Sequence, residues 1–571
     1  MTQDLIKCDV LVLGSGASGF AAAITAKLHG LETIIAEKAS VFGGTSATSG
    51  GYLWIPCAGK GDPSIVQDSI AAALAYIKQE AGELFDEARA LAYLKHGPEM
   101  VDFFERRTEV RFKVNPSFPD YHSEAAGGRA GGRSIWVEPY RGTKLGAAIE
   151  QLRQPLREFS FLGMGVSKRD LWHFFHMTSS LSSLLSVVRL LASLIGDRLV
   201  FGRSMRLVNG NALIARLART ALNLDIPIWL SAPAEQLVYE SGAVRGAILA
   251  RFGSRIRIET RLGVISCCGG FPQDISRRRR VYLHPASPRE HHSVTPPENT
   301  GDGLALAESV GAQVAPRLPN AGYWMPVSEV ARRDGTMGYF PHTGGVDRCM
   351  PGFIAVNPGG RRFCNESTNY HDFAQAMIRA CEGEEVRAFL VCDHRAIRKY
   401  GLGVVRPQPI PVSTHLRSGY LKRGHNLRDI ALQIGVDPEV LDTTVSRFNR
   451  HAAEGRDPDF GRGEAHYDRY YGDSKHKPNP SLGPLDQAPF YAITIKMGDV
   501  GTLMGLRTDA HARVLDSRGA AIAGLYAAGN DMCSIFGGKV SGAGITLGPG
   551  MTFGYIAASH LASSAFAPGQ K

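Results

Sequence analysis

Nine cysteines occur in this chain, yet no two of them stand at C-x-x-C spacing. That absence, with the odd count, argues against a disulfide framework and against a thiolate metal site. Reduced, structural thiols in a cytoplasmic setting are expected, and no metal. Long uncharged apolar runs are also missing, so no membrane-spanning helix is expected. No secretory leader is expected either, because the first apolar run already reads as a strand leading into a glycine-rich turn. Dense positive charge is lacking despite a net charge of +10. The tightest basic run, residues 277–280, has no interleaved aromatics, which excludes the usual pattern of a nucleic-acid binder. What the chain does have is glycine: 65 glycines and 31 prolines among 571 residues, 44% of them hydrophobic. Such a chain suits a large α/β protein of two or three domains with many tight turns.

The most informative stretch is residues 9–38. A short apolar run is followed by Gly14, Gly16 and Gly19 at G-x-G-x-x-G spacing, then a small-residue helix, then a second apolar strand ending at Glu37 and Lys38. Gly14 allows a tight turn, Gly16 lets the backbone approach a pyrophosphate, and Gly19 lets helix and strand pack closely. The helix start, through Ala17 and Ser18, offers free N–H groups to phosphate, and Glu37 is placed for ribose hydroxyls. The spacing alone suits NAD as well as FAD.

A second patch decides between them. Gly43, Gly44, Thr45, Ser46, Ser49, Gly50 and Gly51 form a run that a nicotinamide-only domain does not need. Small residues with hydroxyls can wrap the ribityl chain and diphosphate of FAD. The C-terminal part repeats the strand–loop–helix pattern: a turn at Gly529 and Asn530, a glycine loop through Gly544, and a helix starting near Thr546 and Leu547. This closing unit suits the flavin ring edge. Between them, residues 226–271 read as a β-meander whose last strand ends at Gly269, where the chain re-enters the nucleotide domain. Residues 1–275 are therefore expected to form a Rossmann-like FAD-binding domain. An α+β substrate or capping domain is expected over 276–440, and 441–571 return to the first domain.

Residues 153–206 are an insert of another kind. They are apolar at helical spacing and richer in arginine and lysine than in acids. A peripheral membrane contact and an ordinary core pair or oligomer interface fit this pattern equally.

Taken together, GSGASG (14–19), GGTSATSGGYLWIP (43–56), RRFCNESTNY (361–370), DFGRGEAHYDRYYGD (459–473), PFYAITIKMGDVGT (489–502) and the closing glycine loop resemble the fumarate reductase/succinate dehydrogenase flavoprotein superfamily. The chain is most similar there to the 3-ketosteroid dehydrogenases, which use FAD to desaturate a steroid A ring. The resemblance implies non-covalent FAD, with the backbone near Ala234 meeting the adenine. It implies a steroid-like ketone as substrate, with Tyr370 removing the α-proton, Tyr121 assisting, and the Gly544 N–H holding the 3-keto oxygen. Some larger members carry such an insert and sit at membranes, so contact with the inner membrane is expected. A tyrosine can act as this base if a hydrogen-bonding neighbour draws its pKa down from about 10.

The chain departs from that pattern at one position. The carbonyl-binding tyrosine of the 1,2-desaturating members is here Val540. Ser541 or Lys539 would then supply a replacement donor, or the substrate would sit shifted, or it would be a different ketone. Ser541 followed by Gly542 is similar to the loop of the 4,5-desaturating enzymes, which makes a ketosteroid 4,5-dehydrogenase one alternative. A flavin-dependent enoate reductase is the other, with Arg348, Arg361 and Arg362 available for a carboxylate. The electron acceptor and the oligomeric state are not written in these motifs.

Overall fold

A computed structural model describes residues 4–59, 67–177, 180–316, 318–345, 347–381 and 385–565. The expected nucleotide unit is formed by strand Asp4–Leu13, helix Ala17–Leu28 and strand Thr33–Ala36, the two strands running parallel. Val10, Leu11 and Val12 are fully buried, as a strand inside a covered parallel sheet requires. The helix is built of small residues so that others can approach it. It packs against Asn209–Asn223 and against the C-terminal helix Leu547–Ala565. At that second contact a Cβ on Gly554 would lie 2.6 Å from the Ser18 carbonyl oxygen.

The first sheet runs in the order Ile228–Trp229, Thr33–Ala36, Asp4–Leu13, Ser254–Ser266, Ala243–Arg251, Ala521–Ala527, Arg513–Leu515, with Ala234–Glu240 paired to Ala243–Arg251. The meander expected over 226–271 is present, with its turn at Ser241 and Gly242, both at positive φ. The C-terminal strand pairs parallel with Ser254–Ser266 and brings the last glycine loop back to the first.

The second sheet runs Met337–Pro341, Gly322–Ala331, Phe490–Thr502, Arg387–Cys392, Phe353–Val356. His291–Ser293 and Lys422–Gly424 also pair with its central strand, Phe490–Thr502. The chain thus stays in this sheet well past residue 441 and rejoins the first sheet at Arg513. The insert forms a short hairpin, Ser160–Phe161 with Met164–Gly165, then helices Lys168–His176 and Leu181–Phe201. Among the described residues no helix is long and apolar enough to cross a membrane.

Candidate active site

One elongated cavity is lined from both sheets. Most residues expected to hold the dinucleotide line it: Gly14, Gly16, Ser18, Glu37, Lys38, Gly44, Thr45, Ser46, Ser49, Gly50, Gly51, Ala234, Gly269, Gly529, Asn530, Gly544, Thr546 and Leu547. Three do not, for packing reasons. A Cβ on Gly19 would lie 2.0 Å from the Gly14 carbonyl oxygen, and one on Gly43 would lie 2.8 Å from the Ala47 side chain. Ala17 is buried, and its N–H donates to Ser46 Oγ at 3.1 Å.

The groove fits FAD. The first helix follows Gly16, which has no side chain to cap it. Ser46 Oγ takes the Ala17 N–H, and the helix's positive dipole end and its remaining first-turn N–H groups suit a phosphate. The two glycine patches face each other across an open cradle: the nearest atom to a Cβ built on Gly44 is Gly16 Cα, at 4.0 Å. Glu37 accepts from Ser15 N at 3.0 Å, Ser15 Oγ at 2.5 Å and Ala39 N at 2.8 Å. A carboxylate has about four acceptor positions, which leaves one for a ribose hydroxyl. Lys38 reaches across to Asp302 (2.7 Å) and Thr300 (2.6 Å). The buried Asp531 accepts from Cys268 N at 2.7 Å and Gly270 N at 2.9 Å, which pins Gly269 beside Gly529 and Asn530.

At the other end the cavity is floored by tyrosines. Tyr370 is the first residue of helix Tyr370–Ala380, because the Asn369 side chain caps it, accepting from His371 N at 3.1 Å and Asp372 N at 3.0 Å. Tyr121 comes from the irregular loop before strand Ser134–Val137, and its ring lies edge-on to Tyr370 at 5.9 Å. Asp120 fastens that loop by accepting from Trp54 Nε1 at 2.7 Å and Arg133 Nη1 at 2.8 Å. A third tyrosine, Tyr323 of strand Gly322–Ala331, was not anticipated from the sequence. Its hydroxyl is 2.5 Å from that of Tyr370, and the rings stack at 5.5 Å. Burial pushes the phenols of Tyr121, Tyr323 and Tyr370 well above the ordinary tyrosine value, so the cluster rests protonated.

The closing loop meets the tyrosines through its backbone. Ser541 O accepts from Tyr121 N at 3.0 Å and from the Tyr76 hydroxyl at 2.7 Å. The Ser541 hydroxyl donates to Glu80 at 3.2 Å, and the residue is fully buried. Ser541, Val540 and Lys539 therefore do not line the cavity, whereas Gly544 does. Of the candidate carboxylate binders, Arg362 is paired with Glu366 and Asp457, and Arg348 donates to the carbonyls of Glu366 and Thr368. Neither they nor Arg361 line the cavity.

His122 ties these parts together. Its Nδ1 lies 2.8 Å from Glu80 and its Nε2 2.6 Å from Asp372, two residues beyond Tyr370. Burial alone would discharge the imidazole, but the hydrogen-bonded carboxylates of Asp372 and Glu80 outweigh it and push its pKa up to about 10. An unfolded histidine titrates near about 6.5. The folded value is the higher one, so this clamp stabilises fully below that pH and its contribution disappears as pH rises through 10. Wild-type protein should thus lose thermal stability between neutral and pH 10 more steeply than a His122→Asn variant. Parallel melting curves across that range would contradict the clamp.

The apolar walls include residues that sequence reasoning missed: Leu156, Phe159, Val166 and Leu171, all from the 153–206 insert. Phe159 stacks on Phe340 at 5.1 Å, which fixes the insert against the second sheet.

Comparison with known proteins agrees with this geometry. A family model described as an FAD binding domain matches residues 9–547. The chain is 36% identical over 566 residues to a 4-oxocyclohex-2-ene-1-carboxylate 5-dehydrogenase of Sinomonas cyclohexanicum, covering 98% of this chain and 95% of that one. It is also 36% identical over 572 residues to a 3-oxosteroid 1-dehydrogenase of Mycobacterium tuberculosis (strain ATCC 25618 / H37Rv), covering 98% of each. The crystal structure of 3-ketosteroid delta1-dehydrogenase from Sterolibacterium denitrificans in complex with 1,4-androstadiene-3,17-dione superposes with a TM-score of 0.90 at 34% identity. That match covers 98% of this chain and 100% of that one.

Proposed function

This chain belongs to the FAD-binding domain family, among flavoenzymes that include the 3-oxosteroid 1-dehydrogenases, and on that premise we propose that it desaturates the 1,2 bond of a neutral 3-ketosteroid. It is an FAD-dependent oxidoreductase acting on CH–CH groups.

One observation carries the choice of substrate. Besides Tyr121, Tyr323 and Tyr370, the cavity is lined by the apolar Phe118, Leu156, Phe159, Val294, Met325 and Pro341. Among the described lining residues the only cations are Lys38 and Arg153. Each is held by an acid, Lys38 by Asp302 at 2.7 Å and Arg153 by Glu298 at 2.9 Å. A carboxylate substrate would be desolvated here without a partner, at a cost of several kcal/mol or more. A fused-ring ketone would gain about 25 cal/mol for each Å² of apolar surface it buries. The enoate-reductase alternative lacks its cation for the same reason. The 4,5-desaturating alternative loses its serine to Glu80.

In this reading Tyr370 takes the proton from the carbon next to the ketone. The developing enolate needs a donor at its oxygen, which the Gly544 N–H supplies from the lip of the same cavity. Tyr121 holds the tyrosine cluster from the facing loop. Bound FAD supplies the acceptor for the hydride from the neighbouring carbon. Anaerobic mixing with a 3-ketosteroid should bleach the flavin, and a 4-oxocyclohexanecarboxylate at equal concentration should not. Bleaching by the carboxylate alone would overturn the substrate assignment.

We also infer that helix Leu181–Phe201 rests on a lipid surface. Leu199 is 83% exposed, Val200 72%, Leu181 72% and Ile195 61%, a run of apolar side chains that no described residue covers. Arg189 and the neighbouring Arg198 lie on the same helix, as anionic headgroups would favour. The insert that carries this face also supplies walls of the cavity. Wild-type protein should sediment with anionic liposomes, and a Leu199→Glu, Val200→Glu variant should stay in the supernatant. Equal sedimentation of the two would refute the contact.

A further inference from the structure

We propose that Tyr323 is the hydrogen-bond donor that makes Tyr370 a base; the proposal rests on Tyr370 being the proton acceptor in the reading above. A buried phenol surrounded by apolar walls is a poor base, because its anion is poorly solvated. Three features of the fold offset that burden at Tyr370. It opens a helix capped by Asn369, and the first turn of a helix favours negative charge. The Tyr121 side chain hydrogen-bonds to it from the facing loop and favours the anion. Above all, the Tyr323 hydroxyl lies 2.5 Å from its own.

Two phenols at that separation share one proton. When Tyr370 is ionised, Tyr323 keeps its proton and donates it to the phenolate oxygen, a charge-assisted bond about twice as strong as a neutral one. The pair therefore gives up its first proton more readily than a solitary buried phenol, and its second far less readily. The proton lost on ionisation goes to solvent. In the reaction the substrate's α C–H bond breaks, its proton bonds to the Tyr370 oxygen, and its electron pair stays on the substrate as the enolate. Tyr323 exchanges no atoms; it is a positioning residue that acts through Tyr370.

The spacing of the pair is built into the fold. The N–H of Trp324, the residue after Tyr323, donates to Nδ1 of His371, the residue after Tyr370, at 3.0 Å. Gln375 reaches the other His371 nitrogen at 3.0 Å and orients the ring. Trp324 is anchored in turn by its indole N–H to Asn320 at 2.8 Å. Strand and helix are thus bolted together one residue from each hydroxyl. Tyr121 is held to the same helix in its own way: His122, the residue after it, reaches Asp372 at 2.6 Å.

The test is the pH dependence of anaerobic flavin reduction by a 3-ketosteroid in wild type, Tyr323→Phe and Tyr121→Phe. Tyr323→Phe should keep its flavin and lower the rate at neutral pH at least tenfold. Its rising limb should move up by a pH unit or more, so that most of the rate returns in alkali. A profile that superimposes on wild type, or a loss equal at every pH, overturns the proposal. A second measurement does not depend on turnover: 3-fluorotyrosine placed at 370 and titrated by fluorine NMR. Its ionisation should shift to higher pH when Tyr323→Phe is added, and an unmoved titration also overturns the proposal. If wild type itself is not bleached by any 3-ketosteroid, the substrate reading has failed, and the fluorine titration still decides the role of Tyr323.

Discussion

Tyr370→Phe lowers the rate of flavin reduction at saturating ketosteroid by about 10²–10⁴-fold, the usual worth of a positioned general base, while the protein stays yellow. The variant removes one oxygen and leaves the ring. Stacking on Tyr323 and the edge-on contact with Tyr121 persist, so the wall of the cavity is conserved. The helix cap is formed by Asn369 and backbone N–H groups and does not involve the Tyr370 hydroxyl. The loss should therefore fall on the rate at saturation, with little change in half-saturating concentration. Tyr121→Phe should cost less, because its hydroxyl assists from the facing loop. A Tyr370→Phe enzyme within threefold of wild type would remove the base from this account.

Gly544→Ala should cost about a hundredfold or more at saturating substrate, by loss of an oriented oxyanion donor. Gly544 has φ +98°, and a Cβ there would lie 2.4 Å from the Tyr52 carbonyl oxygen and 2.6 Å from Leu53 Cα. Neither atom can yield easily. Strand Tyr52–Trp54 pairs with Ser134–Val137, and the Trp54 N–H donates to Gly544 O at 3.2 Å. The loop must move instead, and it carries Ser541 O away from Tyr121 N. An L residue forced into left-handed backbone costs a further 1–2 kcal/mol or so. Because Gly544 also borders the cofactor groove, the variant should hold less FAD per chain than wild type. Full flavin content with undiminished turnover would show that this loop tolerates a side chain, and the assignment of its N–H would fall.

The nucleotide unit was legible in the sequence because its chemistry dictates residue type at fixed spacing. Gly14 must be glycine where a Cβ would lie 2.3 Å from the Cys267 carbonyl oxygen, and Glu37 must follow the second strand. Tyr370 and Tyr121 were legible only through resemblance to a family, since neither lies in a pattern that periodicity can read. Tyr323 was not legible at all. It sits in a strand buried along most of its length, where an aromatic residue reads as packing, and its partner is 47 positions away. Ser541 illustrates the opposite error. A hydroxyl in the right loop looks like a donor, but the loop turns it toward Glu80, whose position is set by His122 from another segment. Tyr121 was expected to assist the base; Tyr323 joins the same cluster, its hydroxyl 2.5 Å from that of Tyr370. The insert was read equally as a membrane contact and as a core pair or oligomer interface; five of its described residues line the cavity, because its start folds back onto the second sheet through Phe159 and Phe340.

The central claim is that a neutral steroid ketone loses hydrogen across its 1,2 bond in this cavity. The most direct measurement is product identification after anaerobic turnover of a 4-ene-3-ketosteroid with an artificial electron acceptor. Proton NMR should display new olefinic signals from the 1,2 positions, giving a 1,4-diene-3-ketone. Unchanged steroid with an unbleached flavin would contradict the account, and so would a saturated ketosteroid oxidised only at its 4,5 bond.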